Sequence, residues 1–124
     1  MPRDGHLDRM NAWKNIRLEL DRTADFPAGS VGRAYLVRLP LDEGDAVDEA
    51  EVATRPYRAT IRRHWSNEPD EAGVLVRASE GWAMRCRGRS DRVLKFDGTL
   101  RPGQRVLVAG PDGATLPFRV ASVR

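Results

Sequence analysis

The stretch RVLVAGPDGATLPFRV, residues 105–120, predicts one β-hairpin and decides the fold class. Apolar residues recur at every second position in both halves, at Val106 and Val108 and then at Leu116, Phe118 and Val120. A period of two is expected where one face of a strand is buried. Between the halves, Gly-Pro-Asp-Gly combines three residue types that favour a turn. The hairpin therefore indicates a β protein, and it carries no motif that indicates a chemistry.

The same alternation occurs upstream in six further runs that are separated by turn residues. These predicted strands cover residues 14–21, 33–41, 57–65, 73–78, 81–87 and 92–96. Their predicted inward side chains are Ile16, Leu18, Leu20, Tyr35, Val37, Leu39, Leu41, Ala59, Ile61, Arg63, Trp65, Trp82, Met84, Cys86, Leu94 and Phe96. About eight short strands predict an all-β domain, a small antiparallel β-barrel or a sandwich. We prefer the barrel, because a single open sheet would leave unpaired edges and an exposed apolar face.

One acidic segment, residues 42–51, predicts a solvated loop that leads into a single short helix near 48–55. Asp48 is suited to cap that helix, and Glu51 follows three residues later, as in a capping box. Pro56 ends the helix, because the residue before a proline avoids the helical conformation. The spacing does not match a calcium loop, since the glycine is third in the segment and not sixth.

Length and composition are those of one folded domain. The chain has 124 residues, of which 40% are hydrophobic and 31% charged. Residues 1–12 are polar and show no periodicity, which predicts a flexible N-terminal tail before a barrel domain at 13–124. Cys86 is the single cysteine, so no intramolecular disulfide can form. Because no apolar run approaches the roughly 18 residues of a membrane helix, we expect a cytoplasmic protein with no membrane partner.

The charge balance is mildly basic. The net charge is +3, from 21 basic and 18 acidic side chains. A net charge of this size is compatible with nucleic-acid binding without requiring it, because the local field decides. The interval 77–105 is locally basic and contains Arg77, Arg85, Arg87, Arg89, Arg92, Lys95, Arg101 and Arg105. One alternative function is therefore a nucleic-acid-binding protein that uses this arginine-rich half.

The candidate ligand-binding residues form an Arg–Trp cluster, which we define as Arg63, Trp65, Trp82 and Arg85. Arginines that alternate with tryptophans on neighbouring strands favour stacking on bases or on anionic aromatic ligands. The competing interpretation places the tryptophans in the core and the arginines on an ordinary solvated face. Because Arg63 breaks an apolar face, it lies at the rim of the core or has an acidic partner. The following loop supplies three such partners, Glu68, Asp70 and Glu71.

An enzymatic alternative would use Cys86 as nucleophile and His64 as its base. The predicted strand places Cys86 on the inward face, where a lone cysteine behaves as a small apolar residue. Two histidines are too few for the usual zinc sites. Neither a phosphate-binding loop nor a nucleophile elbow is present. We therefore assign no catalytic residue, metal or cofactor, and a hydrolase with an unrecognised site remains an alternative.

Several segments taken together resemble a family of small, uncharacterised bacterial β-rich proteins. They are residues 15–20, 26–30, 62–65, 70–73, 81–82, 102–106, 112–113 and 118–120. The resemblance covers nearly everything after Trp13, and it implies no activity, cofactor or site. The sequence thus predicts a non-enzymatic β-barrel binding module whose contact face surrounds the Arg–Trp cluster. A protein or an anionic ligand is the expected partner.

Overall fold

The computed structural model describes residues 12–124, without the side chain of Ser90, and forms a closed barrel of eight antiparallel strands. The strands are β1 (Trp13–Leu20), β2 (Ser30–Pro40), β3 (Thr60–Trp65), β4 (Glu71–Ala78), β5 (Gly81–Cys86), β6 (Arg89–Lys95), β7 (Arg105–Ala109) and β8 (Thr115–Val123). Each strand pairs with the next along the chain, and β8 pairs with β1. The predicted fold class is confirmed. The predicted tail lies outside the described residues except for Ala12.

The barrel is closed by the terminal hairpin, β7 and β8. In the closing pair, Ile16 lies opposite Val123, Leu18 opposite Val120, and Leu20 opposite Phe118. The register shifts once, between Arg17 and Leu18. Such a shift increases the local twist, which a sheet needs in order to close on itself. The hairpin that indicates the fold class therefore also removes the last free edges.

The barrel interior is filled by the apolar side chains that alternate along the strands. The fully buried ones include Ile16, Leu18, Leu39, Ile61, Leu75, Met84, Leu94, Val106, Phe118 and Val120. Most predicted inward positions are thus confirmed. Leu116 departs from the prediction, with 37% of its surface exposed, because it lies near the start of β8 at the end of the barrel.

Residues 57–59 also depart from the prediction of a third strand beginning at Tyr57. Pro56–Arg58 forms one turn of 3₁₀-helix, and β3 begins at Thr60. Proline has no N–H for a strand ladder and is well suited to the first turn of a helix. The amide N–H of Ala59 donates to the carbonyl of Pro56 at 3.3 Å, which closes the turn.

The predicted short helix is α1 (Glu49–Thr54), and it packs against the barrel near the start of β1. Asp48 caps it as predicted, since its carboxylate accepts the amide N–H of Glu51 at 3.1 Å. The Glu51 side chain is buried, and its Oε2 accepts from the Trp13 indole at 2.9 Å and from Arg55 at 2.8 Å. This carboxylate therefore fixes α1 to β1. No helix in residues 12–124 has the length and apolar character needed to cross a bilayer.

We predict that Glu51→Ala destabilises the protein by about 1–3 kcal/mol, because the buried Trp13 N–H loses its acceptor. Glu49→Ala is the matched control in the same helix. Glu49 is exposed and pairs with exposed Arg77 at 3.2 Å, so its loss costs less than about 1 kcal/mol. Urea unfolding at neutral pH measures both values. Equal losses for the two variants would contradict a structural role for the Glu51–Trp13 bond.

Candidate functional site

The four residues of the Arg–Trp cluster do not form one surface. Arg63 and Trp65 lie at the end of β3, whereas Trp82 lies near the start of β5. Strands β3 and β5 run in the same direction, because each is antiparallel to β4. The two tryptophans therefore lie toward opposite ends of the barrel.

Trp82 and Arg85 have surroundings unlike those of Arg63 and Trp65. Trp82 is buried in the core, and the guanidinium of Arg77 lies 5.6 Å from its ring centroid. Arg77 in turn donates to the carbonyl of Gly81 at 2.6 Å, which fixes it over the ring. Arg85 is exposed and has no ion pair with another described residue. Only Arg63 and Trp65 are brought together, and they line a concave site.

That site is a concavity of about 370 Å³ at one end of the barrel, which we call the mouth cleft. Five strands contribute to its lining. Its side chains include Tyr35 from β2, Arg63 from β3, Arg92 from β6, Val108 from β7 and Leu116 from β8. The β7–β8 turn, through Pro111 and Asp112, forms part of its rim. The terminal hairpin thus shapes the cleft as well as closing the barrel.

Three aromatic rings pack together on the inner side of the mouth cleft. The ring centroids are 5.1 Å apart for Tyr35 and Phe118, 6.2 Å for Tyr35 and Trp65, and 6.0 Å for Trp65 and Phe118. These separations and the tilted ring planes are those that aromatic pairs prefer. Tyr35 and Phe118 are buried, whereas Trp65 is partly exposed. Trp65 is therefore a rigid aromatic surface that a ligand can contact.

Two mostly buried arginines lie beside these rings and share one carboxylate. Arg63 Nη1 lies 3.2 Å from Glu71 Oε2 and 3.2 Å from Glu68 Oε1, and its guanidinium lies 4.1 Å from the Trp65 ring centroid. Arg92 Nη1 lies 3.4 Å from Glu71 Oε1. The prediction that Arg63 has an acidic partner in the 66–72 segment is confirmed. Both guanidinium groups are held in fixed positions, with side chains only 12% and 15% exposed.

The third predicted partner of Arg63, Asp70, lies on the other face of the sheet. Its carboxylate is 3.0 Å from His64 Nδ1 and 3.6 Å from Arg62 Nη1. Since side chains alternate along a strand, His64 and Arg62 point away from the interior that Arg63 faces. Only Glu68 and Glu71 therefore pair with Arg63.

Arg63 and Trp65 are the residues of the mouth cleft that were predicted as a site, and the residues that were not include Tyr35, Arg92 and Phe118. The pattern placed Tyr35 and Phe118 in the core, which is correct, but gave no sign that they lie beneath an opening. Arg92 was grouped with the basic residues of the arginine-rich half. Its spacing of two residues from the inward Leu94 is the sequence signal that would have placed it inside, and in the structure it lies opposite the buried Met84.

Burial raises the pKa of the Tyr35 phenol above its ordinary value of 10.0. The positive charges of Arg92 and Arg63 and a hydrogen bond from Arg63 lower this pKa, and burial outweighs them. The phenol is therefore neutral near pH 7. A neutral phenol and two paired guanidinium groups are suited to hydrogen bonding with a ligand, and nothing among them acts as an activated nucleophile.

The proposed cysteine and histidine pair is not assembled. Cys86 is partly buried and packs against the apolar core, whereas His64 lies on the outer face beside Asp70. Within residues 12–124, no three His, Cys, Asp or Glu side chains are grouped as ligands for a metal ion.

Most basic residues of the arginine-rich half have a carboxylate within ion-pair distance. Five of its eight basic residues pair with described carboxylates: Arg77 with Glu49, Arg92 with Glu71 and Asp91, Lys95 with Glu80, Arg101 with Asp45, and Arg105 with Asp21. Four of these partners, Asp21, Asp45, Glu49 and Glu71, lie outside the interval 77–105, so the local excess in the sequence overstates the positive charge of this half.

We predict that Tyr35 ionises at a pH above its ordinary value of 10.0 in the folded protein. Tyr57 is the one other tyrosine, so in the Tyr57→Phe variant the alkaline rise in phenolate absorbance reports Tyr35 alone. A raised pKa in the folded state favours the neutral phenol, so this contribution to stability is complete below pH 10 and decreases as the pH rises further. Far-ultraviolet circular dichroism at each pH shows that the barrel is intact. Ionisation of Tyr35 at or below pH 10 in the folded variant would contradict the prediction.

A function for the mouth cleft has to be inferred from its geometry. No family model, curated protein or solved structure matches this chain. The packed aromatic rings and the two paired arginines are therefore the observations from which a function is proposed.

Proposed function

We propose that this chain is a non-enzymatic β-barrel binding module whose contact surface is the mouth cleft. The observation that carries the proposal is the partly exposed ring of Trp65 beside the Arg63 guanidinium, which shares the Glu71 carboxylate with Arg92. Tryptophan, tyrosine and arginine are enriched at the centres of protein interfaces, where they contribute most of the binding energy. Because these groups are already ordered, binding loses little side-chain entropy.

A protein segment fits the cleft better than a small anion does. Arg63 and Arg92 face three carboxylates, those of Glu68, Glu71 and Asp91. A free anion would therefore have to displace the carboxylates that are already paired with Arg63 and Arg92.

The opposite side of the cleft is apolar. Val108, Pro111 and Leu116 lie there, and Leu116 is 37% exposed although it is on the same face of β8 as the buried Phe118 and Val120. An apolar side chain of a partner would pack against Leu116 and Trp65. A hydrogen-bond donor of the partner would meet the Asp112 carboxylate at the rim. We therefore propose a partner protein that inserts one apolar side chain into the mouth cleft.

The other two functions inferred from the sequence have less support. Five of the eight basic residues of the arginine-rich half have a carboxylate partner, which weakens the case for nucleic-acid binding there. The hydrolase alternative loses its named residues, because Cys86 and His64 lie on different faces. A cytoplasmic location and the likeness to small bacterial β-rich proteins stay predictions.

The proposal is tested by selecting peptides from a random displayed library on the full chain and measuring their affinity by fluorescence anisotropy. Leu116→Ser is predicted to weaken the selected peptides at least tenfold, equivalent to about 1.4 kcal/mol, because it removes the apolar wall of the cleft. Leu107→Ser is the matched control, since Leu107 is 39% exposed on the neighbouring strand β7 and is not part of the cleft. Failure to select any peptide, or equal weakening by the two variants, would contradict the mouth cleft as the contact surface.

A further inference from the structure

We infer that the outside of the barrel carries a second binding site, for the phosphate backbone of a nucleic-acid duplex. The site is a concavity of about 620 Å³ that crosses five adjacent strands, from β8 through β1, β2 and β3 to β4. Four arginines line it: Arg17, Arg38, Arg62 and Arg124. We call it the outer arginine groove. It shares no lining residue with the mouth cleft, so the inference is independent of the proposed function.

Strand register arranges these arginines in a regular order. Arg17 lies opposite Leu36, and Leu36 lies opposite Arg62, so these three residues form one row across β1, β2 and β3. In the adjacent row, Asn15 lies opposite Arg38 and exchanges two backbone hydrogen bonds with Arg124, at 2.7 and 2.9 Å. Each of β1, β2 and β3 therefore carries one arginine of the groove, and Arg124 lies just after the end of β8. Along this order of strands the arginines alternate between the two rows.

The spacing suits a phosphate backbone. Neighbouring strands lie about 4.8 Å apart and the two rows about 6.6 Å apart along the strands, so arginines on successive strands are about 8 Å apart. At this separation the long arginine side chains can each contact a different phosphate along one backbone.

Positive charge exceeds negative charge in the outer arginine groove. Arg38 and Arg124 have no ion pair with a described residue, and Arg38 Nη1 donates only to Asn15 Oδ1, at 3.1 Å. Arg62 pairs with Asp70 at 3.6 Å, where both groups are exposed and such a pair contributes little. Arg17 pairs more closely, with Glu19 at 2.7 Å. Two side-chain carboxylates therefore pair with two of the four guanidinium groups, whereas both arginines of the mouth cleft are paired, with three carboxylates between them.

The other side chains of the groove favour a duplex over a single strand. No aromatic residue lines it, so unpaired bases would find no surface on which to stack. The short polar side chains of Asn15, Thr60 and Ser122 can hydrogen-bond to phosphate or sugar oxygens. Ala72, which lies opposite Arg62 on the outer face, has a short side chain that leaves room for a backbone to approach the sheet closely. The groove thus contains hydrogen-bond donors for a sugar–phosphate backbone and has no aromatic side chain on which an unpaired base could stack.

The inference is tested by titrating the full chain against a fluorescently labelled 20-base-pair DNA duplex at several salt concentrations. Four phosphate contacts predict a slope of about −3.6 in log affinity against log salt, or a loss of about 150-fold between 50 and 200 mM. The double variant Arg38→Ala/Arg62→Ala keeps two contacts and should lose only about 12-fold over the same range. It should also bind more weakly than the unchanged chain at 50 mM.

A matched control separates the groove from net charge. Arg85→Ala/Arg89→Ala removes the same two charges from exposed residues outside the groove that have no ion pair with described residues, so affinity and salt slope should stay unchanged. Circular dichroism and thermal unfolding show that both variants keep the barrel. The inference is overturned if the chain does not bind the duplex at 50 mM salt, or if the two double variants have equal effects. It is also overturned if a single strand binds more tightly than the duplex, or if an equal concentration of polyglutamate peptide displaces the duplex.

Discussion

The pairing of β1 with β8 is the constraint on which the rest of the structure depends. An eight-stranded sheet with free ends would expose two rows of unpaired backbone groups, and closure satisfies both rows at once. In a closed barrel the side chain of every strand residue points either into the filled interior or toward the outside. The buried rows of Leu18 and Leu20 on β1 and of Phe118 and Val120 on β8 meet at this seam. The apolar core is therefore continuous around the barrel.

The same constraint places the two proposed sites back to back on β2 and β3. On β3, Arg63 faces the mouth cleft and the adjacent Arg62 faces the outer arginine groove. On β2, Tyr35 and Leu36 divide in the same way. Each pair of neighbours in sequence is separated by the thickness of the sheet. The opposite faces of one part of the sheet thus form two surfaces, one whose arginines are paired with carboxylates and one in which Arg38 and Arg124 have no ion pair with a described residue.

The apolar alternation and turn residues were sufficient to predict the architecture. The terminal hairpin, the Asp48 cap and the acidic partners of Arg63 were predicted because each depends on residues close in sequence. Tyr57 was placed in a strand because its side chain fits the alternation, and the 3₁₀ turn set by Pro56 overrode that pattern. Local signals of this kind are reliable when no stronger local preference competes with them.

The candidate site was predicted only in part. The alternation of apolar residues predicts whether a side chain points into or out of the barrel, and it does not predict the position of that side chain along the barrel axis. Trp65 and Trp82 share the inward face, yet they lie toward opposite ends, since pairing registers of β3, β4 and β5 separate them. Arg92 joins Arg63 through Glu71 across strands that are distant in sequence. The outer arginine groove depends on the register of five strands, and no local pattern indicates it.

Closure is tested most directly by nuclear magnetic resonance of the β1–β8 seam. The amide N–H groups of Asn15 and Asp21 donate to the carbonyls of Arg124 and Pro117, at 2.7 and 3.0 Å. A closed barrel predicts slow hydrogen exchange at both amides and through-space contacts between the backbones of Leu18 and Val120. Exchange at both amides as fast as that of an exposed loop, with no contact between Leu18 and Val120, would show that β1 and β8 are free edges and would contradict the barrel.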